Sequence, residues 1–407
     1  MSARPRVALF TDSYLEVNGV ANTSRQLTAY AARHGLPFLV VHAGPRTEEI
    51  VEGSLTRLML YRSGFGFRLD ADLRFDLLLL RHISVVNESI RRYRPDLIHV
   101  TGPSDIGLLG ALVAWQRGIP VVLSWHTNVH NYARARLAQL LGRLKINLPA
   151  RLGDLVERAS LKGLVRFYAM GRVLLAPNEE LAEMLESECR RPVFLMKRGI
   201  DTTLFAPEKR ERIDSRLNLG FVGRLTIEKN VRFLARLERE LLESGCREIK
   251  FTIVGTGSEE AWLREQMKTA VFTGVLSGEA LARAYANMDL FIFPSTTDTF
   301  GNVVLEALAA GVPALVSTGG GPKFIVRNGE SGFILRRESD YAPLIRDLHQ
   351  HPELRQQLSG EARRQSLNLT WERIFDGLFN TYQFAVDNRT VGSESVEWSR
   401  SGEGDEF

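Results

Sequence analysis

The sequence predicts an α/β protein made of two Rossmann-like, doubly wound domains. Three observations predict it. Short apolar, β-rich runs alternate with helical stretches through most of the chain, the rhythm breaks once near Gly199–Pro207 and then restarts, and strand after strand ends in a Gly, Ser, Thr or His turn. Near-continuous apolar strands are buried on both faces. Doubly wound sheets bind ligands at the carboxyl ends of their strands. Two such edges, facing each other across a cleft, suit the joining of two substrates.

In the first half, the strand Val7–Thr11 is followed by a helical stretch, Thr23–Arg33, and by the strand Phe38–His42. The strand Leu97–Val100 precedes helical Asp105–Arg117, and the strand Val121–Ser124 follows. The strand Val173–Ala176, helix Glu179–Glu188 and strand Val193–Met196 close this half. In the second half the strands are Leu219–Val222, Phe251–Val254, Val271–Gly274, Leu290–Pro294 and Ala314–Ser317. Helical stretches Asn230–Glu243, Ser258–Met267, Gly278–Ala286 and Val303–Ala310 separate them, and Tyr341–His349, Glu353–Leu367 and Trp371–Val386 complete the fold. The expected organisation is one domain over residues 1–198, a second over 199–368, and a final helix over 369–387. A polar tail, 388–407, has the composition of a disordered segment.

The chain has 407 residues, 44% hydrophobic and 25% charged, ordinary for a globular protein with a sizeable core. Two cysteines, Cys189 and Cys246, match no metal or redox spacing and fit a reducing compartment. The N-terminus lacks the apolar stretch of a secretory signal, and no segment has the length of a membrane span, so a cytoplasmic location is expected. The net charge of +4 is uneven. Residues 1–198 hold 27 Lys and Arg against 18 Asp and Glu, whereas the remainder holds 25 against 30. A basic half points to an anionic partner: nucleic acid, a lipid surface or an anionic substrate.

The most informative stretch runs from Pro294 to Pro313. A strand ends at Pro294, Asp298 precedes a helix that begins near Gly301, and Glu306 lies inside it among apolar residues. Free backbone N–H groups of Gly301, Asn302 and Val303 at the helix start would face a diphosphate. Glu306 could accept hydrogen bonds from a ribose. A capping Asp298 or Thr299 with a surface Glu306 would satisfy the same spacing. Gly223-Arg224-Leu-Thr-Ile-Glu-Lys229-Asn230 follows the second half's first strand and places Arg224 and Lys229 at a helix start, which solvent alone could satisfy. Val254-Gly-Thr-Gly257 begins like a dinucleotide fingerprint but has Glu260 where a third Gly is needed.

This succession resembles the retaining glycosyltransferases of family 4, which have the GT-B fold. The Asp298-x7-Glu306 spacing is similar to the family's paired-acid signature, with Asp in place of the usual Glu. The resemblance implies that Asp298 contacts the transferred sugar and Glu306 the nucleotide ribose. It implies donor contacts for Gly19, Gly255, Phe272 and Phe300 as well, and it makes Gly223–Asn230 a phosphate motif in which Arg224 and Lys229 neutralise the donor diphosphate and the departing nucleotide. It also implies that residues 1–198 bind the acceptor, that 199–368 bind the nucleotide sugar, and that the helix over 369–387 crosses back to the first domain. Arg198-Gly199-Ile200-Asp201 and Phe205 resemble the linker into the second domain, and Phe272-Thr-Gly274 a loop beside the base. Thr11-Asp-Ser-Tyr-Leu-Glu16-Val-Asn18-Gly19-Val20 is similar to the opening of lipid-glycosylating members, such as diacylglycerol and phosphatidylinositol glycosyltransferases, without the Pro that commonly precedes the Glu. Over the whole chain the resemblance is to bacterial lipid glycosyltransferases, GDP-mannose-dependent alpha-mannosyltransferases and diacylglycerol glycosyltransferases. Gly19 would let the backbone approach a donor phosphate. A plain βα turn would need a Gly there too.

Ser124-Trp-His126-Thr-Asn128-Val-His130 follows a strand, where a His is placed to touch substrate. The resemblance puts His126 beside the transferred sugar and the acceptor, with Asn18 and Asn128 nearby. His126, Arg224, Lys229 and Asp298 are therefore the expected catalytic set. Asp70-Ala-Asp72 fits a metal-binding motif of a different glycosyltransferase fold, but it lies in a polar stretch beside Arg68 and Arg74 rather than at a strand end. No metal and no other cofactor is expected.

Residues 133–172 hold nine Lys and Arg and two acidic residues. Leu137, Leu140, Leu141, Leu144 and Leu148 recur at helical spacing, with Arg134, Arg136, Arg143 and Lys145 outside the stripe. Such a helix can lie on an anionic membrane, its cations snorkelling to the headgroups. Core packing of the same leucines is the alternative, and no nucleic-acid motif accompanies the charge. The reading is a retaining glycosyltransferase that moves a hexose from a GDP- or UDP-sugar to a lipid or lipid-linked hydroxyl, peripheral on the inner face of the cytoplasmic membrane. A soluble acceptor, a silent nucleotide-sugar-binding protein and a sugar epimerase are the alternatives.

Overall fold

The computed structural model describes residues 4–16, 18–63, 66–68, 74–76, 78–126, 150–211 and 214–388. The chain forms two compact units: residues 1–197 with 374–407, and residues 198–373.

The first unit contains an eight-stranded sheet in the order Val193–Leu195, Val173–Ala176, Val121–Ser124, Leu97–Val100, Val7–Thr11, Phe38–Gly44, Leu55–Tyr61, Glu48–Glu52. All neighbours are parallel except the last pair, a hairpin closed through Gly53. The central strand Val7–Thr11 is buried at every position, as its unbroken apolar run requires. The sequence reading missed Glu48–Glu52, Leu55–Tyr61 and the helix Ile83–Tyr93. Glu48–Glu52 is a charged, half-exposed edge strand with a weak apolar signal, whereas Leu55–Tyr61 is apolar and buries Leu55, Leu58 and Leu60 but has no helix next to it in the sequence to mark a βα rhythm. The first helix runs from Gly19 to Arg33, four residues earlier than its periodicity implied. Asn18 caps it by accepting a 2.9 Å hydrogen bond from the Ala21 amide, so the Asn-Gly pair opens the helix rather than forming a turn.

The final helix, Trp371–Asp387, begins in the second unit and ends in the first. Phe375, Phe379, Tyr382 and Ala385 form one of its faces and are buried. Tyr30 packs tilted against Phe375 and Phe379, and the Tyr30 hydroxyl donates a 2.5 Å bond to Asp376. Arg172 donates to the Ala385 carbonyl at 3.0 Å.

The second unit contains six parallel strands in the order Ala270–Gly274, Ile249–Val254, Leu217–Val222, Leu290–Phe293, Ala314–Ser317, Gly332–Leu335. The last of these was not read from sequence: its four residues lie at the sheet edge, and three of them are only partly buried. Helices Arg232–Glu243, Gly278–Ala286, Asn302–Ala309, Tyr341–Gln350 and Pro352–Ser366 cover the sheet, and one core cluster of apolar residues unites them. No helix among the described residues is long and apolar enough to cross a membrane.

Candidate active site

In the second unit the strands follow the order 3-2-1-4-5-6, so the winding reverses between Leu217–Val222 and Leu290–Phe293. That reversal opens a crevice beyond the strand carboxyl ends, where doubly wound sheets bind ligands. Two segments leave the sheet there, Gly223–Lys229 and Pro294–Gly301. They meet through one ion pair: Lys229 Nζ lies 2.6 Å from Asp298 Oδ1, with both side chains largely buried. The Ser295 hydroxyl donates a 2.5 Å bond to the other carboxylate oxygen of Asp298. Arg224 is more exposed and stands 3.9 Å from Glu228. The Thr226 hydroxyl is shielded from solvent and has no hydrogen-bond partner among the described residues, a donor that a ligand oxygen would satisfy.

Glycines let these segments come together. Gly255 ends the neighbouring strand with φ +127, and a Cβ there would lie 2.0 Å from the Gly223 carbonyl oxygen. The Gly319-Gly320-Gly321 run passes behind the Asp298 segment. A Cβ on Gly321 would meet the Thr299 carbonyl at 2.1 Å, and its amide donates 2.7 Å to the Asp298 carbonyl.

The helix Asn302–Ala309 starts after Gly301, and no side chain caps it. The Asp298 carboxylate is engaged by Lys229 and Ser295 instead, so the capping role that spacing allowed to Asp298 or Thr299 is not the one adopted. The first-turn amides of Asn302 and Val303 are left without a side-chain acceptor, a ready anion site. One turn in, Glu306 accepts a 2.8 Å bond from the Tyr285 hydroxyl. Burial raises the Glu306 carboxyl to about 7, against the opposing effect of that bond. Phe300 is buried, with the Arg198 guanidinium 5.8 Å from its ring centre. Burial pulls Arg198 down to about 10. The half-buried Phe272 ring carries the Arg264 guanidinium at 4.6 Å.

In the first unit the winding reverses between Val7–Thr11 and Leu97–Val100. Asp12 follows the first of these strands and is 8% exposed. Burial raises its carboxyl to about 6, with Arg62 opposing and Asp105 adding to the shift. Ser124 and His126 leave the strand Val121–Ser124, and Ser124 Oγ lies 2.7 Å from His126 Nε2.

Comparison with known proteins bears on this architecture. The model described as "Glycosyltransferase Family 4" matches residues 17–204, and "Glycosyl transferases group 1" matches residues 216–351. A GDP-mannose-dependent alpha-mannosyltransferase of Corynebacterium glutamicum is 32% identical over 344 residues, which cover 81% of this chain and 76% of that protein. The chain belongs to glycosyltransferase family 4. An alpha-monoglucosyldiacylglycerol synthase of Streptococcus pneumoniae is 26% identical to the enzyme, over 76% of this chain and 70% of the relative. The sucrose-phosphate synthase structure from Thermosynechococcus elongatus shares its fold with a TM-score of 0.68 at 18% identity, over 94% of this chain and 99% of that one.

The structure of this glycosyltransferase brings Lys229 and Asp298 into contact, and it sets Glu306 one turn inside the helix that starts after Gly301. Gly19 is the exposed first residue of its helix. The Asn18 side-chain oxygen accepts from the Ala21 amide as the helix cap, and its side-chain amide donates to the Ser13 hydroxyl at 3.4 Å. Asn128, Arg134, Arg136, Leu137, Leu140, Leu141, Arg143, Leu144 and Lys145 lie outside the described residues, as do Asp70 and Asp72. Sequence reasoning missed Asp12, Ser295, Tyr285 and the Gly319–Gly321 run. Only the last carried a readable signal: three glycines before Pro322, directly after a strand.

Proposed function

We propose that this glycosyltransferase moves a hexose, with retention of anomeric configuration, from a nucleoside-diphosphate sugar to a hydroxyl of a lipid or lipid-linked acceptor. The observation that carries the donor assignment is the Lys229–Asp298 pair beside the uncapped helix start and the Tyr285–Glu306 pair. It offers cations and amides for a diphosphate and a carboxylate for ribose hydroxyls. Asp298, held by Lys229 and Ser295, is assigned to the transferred sugar, and Gly255 and Phe272 to the nucleotide. GDP-mannose is the first donor to test, since the 32% identical relative is named for it.

In the reaction the bond between the anomeric carbon and the diphosphate oxygen breaks, and the acceptor oxygen bonds to the same face of that carbon. The acceptor's proton passes to the leaving diphosphate. Arg224, Lys229 and the Asn302 and Val303 amides stabilise the charge that develops on the diphosphate, so no metal is assigned to this step. His126 and the neighbouring Asn128 are assigned to the acceptor side. The basic stretch 133–172 supports a peripheral membrane location and a lipid acceptor, as does the relative named for monoglucosyldiacylglycerol synthesis.

The test is thermal stability against GDP, UDP, ADP and their sugars, because a ligand that binds only the folded state raises the midpoint. A shift with one base, lost in Arg224→Ala, supports the donor site. No shift with any of them removes it. Cosedimentation with anionic vesicles tests the lipid reading. Loss of binding in Leu140→Asp with Leu144→Asp supports it, and unchanged binding favours a soluble acceptor.

A further inference from the structure

Four buried side chains of the first unit form a continuous hydrogen-bonded chain. Tyr382 Oη lies 2.7 Å from His99 Nδ1, His99 Nε2 lies 2.8 Å from Ser124 Oγ, and Ser124 Oγ lies 2.7 Å from His126 Nε2. Tyr382, His99 and Ser124 are each 1% exposed or less, and His126 is 8% exposed. The chain starts on the final helix, crosses two adjacent parallel strands and ends on the one first-unit histidine assigned to substrate.

We propose that Tyr382 and His99, acting through Ser124, are positioning residues that hold neutral His126 in its Nδ1–H tautomer. The proposal rests on the assignment of His126 to the acceptor side only for its catalytic consequence.

The direction of the chain follows from counting donors and acceptors. A phenol has one proton to give, and burial raises the Tyr382 hydroxyl well above its ordinary range, so it keeps that proton. Its hydrogen-bond partner among the described residues is His99 Nδ1. A fully buried O–H left without an acceptor is costly, so Tyr382 donates and His99 Nδ1 accepts. A neutral imidazole carries its proton on the other nitrogen, so His99 Nε2–H donates to Ser124 Oγ. The Ser124 proton then has two acceptors within reach: His126 Nε2 at 2.7 Å and the Val100 carbonyl at 3.5 Å. The shorter, stronger bond is the one to His126. Nε2 of His126 therefore accepts, and its proton sits on Nδ1. In that tautomer His126 carries an N–H donor rather than a lone pair on Nδ1. It would hold a sugar or acceptor oxygen in place instead of removing a proton, which agrees with the leaving diphosphate taking the acceptor's proton.

The reverse arrangement is chemically distinct. If Ser124 donates to the Val100 carbonyl, His126 Nε2 must carry the proton and donate to Ser124. The two states differ in which ring nitrogen bears hydrogen, and long-range proton–nitrogen spectra of histidine-labelled protein report this directly.

The experiment uses the full chain with nitrogen-15 histidine, with the His126 signals assigned by their loss in His126→Asn. In the wild-type protein at mildly alkaline pH, His126 is expected as the Nδ1–H tautomer. An Nε2–H signal overturns the proposal. Tyr382→Phe removes one hydroxyl and frees the chain to reverse, so His126 is expected to become a mixture of tautomers. An unchanged signal in a protein with a normal melting curve overturns the part given to Tyr382 and His99. Ser124→Ala is expected to lose the signature, and Ser124→Thr, which keeps the hydroxyl, to restore it. Turnover separates this from the functional reading. Tyr382→Phe is expected to lower kcat by about 10-fold with donor KM little changed, as outer-shell partners of an oriented imidazole do. A tautomer shift with unaltered kcat leaves the chain in place and removes His126 from the chemistry.

Discussion

Lys229 Nζ lies 2.6 Å from Asp298 Oδ1, and this contact ties the segment after one central strand to the segment after its neighbour. It holds together the groups assigned to the diphosphate and to the transferred sugar before any donor arrives. Removing the lysine therefore has two effects. Lys229→Met strips positive charge from the leaving group, and turnover with the identified donor should fall by about 10²-fold or more. It also leaves Asp298 with only Ser295, and stability should drop by about 1–2 kcal/mol for a partly shielded pair. Adding Asp298→Asn should recover much of the stability and none of the turnover. Melting curves and initial rates of the single and double variants check both halves.

The Glu306 carboxyl is raised to about 7 by burial, from 4.5 in the unfolded chain. A raised carboxyl contributes fully to stability below its unfolded value, and that contribution is lost as pH rises through the folded value. The lost contribution approaches about 3 kcal/mol, because each tenfold change in acidity is worth about 1.4 kcal/mol. Glu306→Gln escapes it. The variant's melting midpoint should gain on the wild type between about pH 5 and about pH 8. Ribose hydroxyls donate to the ionised form, so nucleotide binding near pH 6 should release about one proton, and little should be released near pH 8.5. Calorimetry in two buffers of different ionisation enthalpy reads this directly. An equal proton count at both pH values would remove Glu306 from the ribose.

The positions of the two acids and of the cations assigned to the phosphate were legible because they lie at short, fixed spacing after strands. Asp298 and Glu306 are separated by one helix start, and Arg224 and Lys229 follow one strand end. The supporting groups were not legible. Tyr285 reaches Glu306 from a different helix, and Tyr382 reaches His99 across 283 residues of sequence. Such partners are set by packing, which leaves no local pattern. The hairpin Glu48–Tyr61 escaped for the opposite reason: Glu48–Glu52 is a solvated, charged edge strand, and its apolar partner Leu55–Tyr61 follows it with no intervening helix. The start of the first helix was misplaced because Asn-Gly reads as a turn until the cap is seen.

Gly255→Ala should be among the most damaging single-methyl changes in the second unit. The residue has φ +127, and the added carbon would lie 2.0 Å from the Gly223 carbonyl, which is backbone and cannot swing away. Strain and clash together should cost about 3 kcal/mol or more. Gly245 supplies the control: its φ is +84, with nothing within 4 Å of an added Cβ. Gly245→Ala should cost about 1 kcal/mol from backbone strain alone. Melting midpoints compare the two. Equal losses would mean that the approach of Gly255 to Gly223 relaxes without cost.

The final helix should stabilise the first unit specifically. Phe379 is 2% exposed and packs on Tyr30 and Tyr382, so its side chain belongs to the first unit's interior although the helix begins in the second. Phe379→Ala should cost about 3–5 kcal/mol, the usual range for a buried phenylalanine. The loss should be local to the elements that the helix covers. Amide exchange in Gly19–Arg33 and Leu97–Val100 should accelerate, because Tyr30 and His99 contact this helix directly. Exchange in Leu217–Val222, within the other core cluster, should stay at its wild-type rate. Equal acceleration in both units would mean that the chain unfolds as one cooperative body and that the helix stabilises both. Acceleration confined to the first unit would make this helix a removable support for the unit that carries His126.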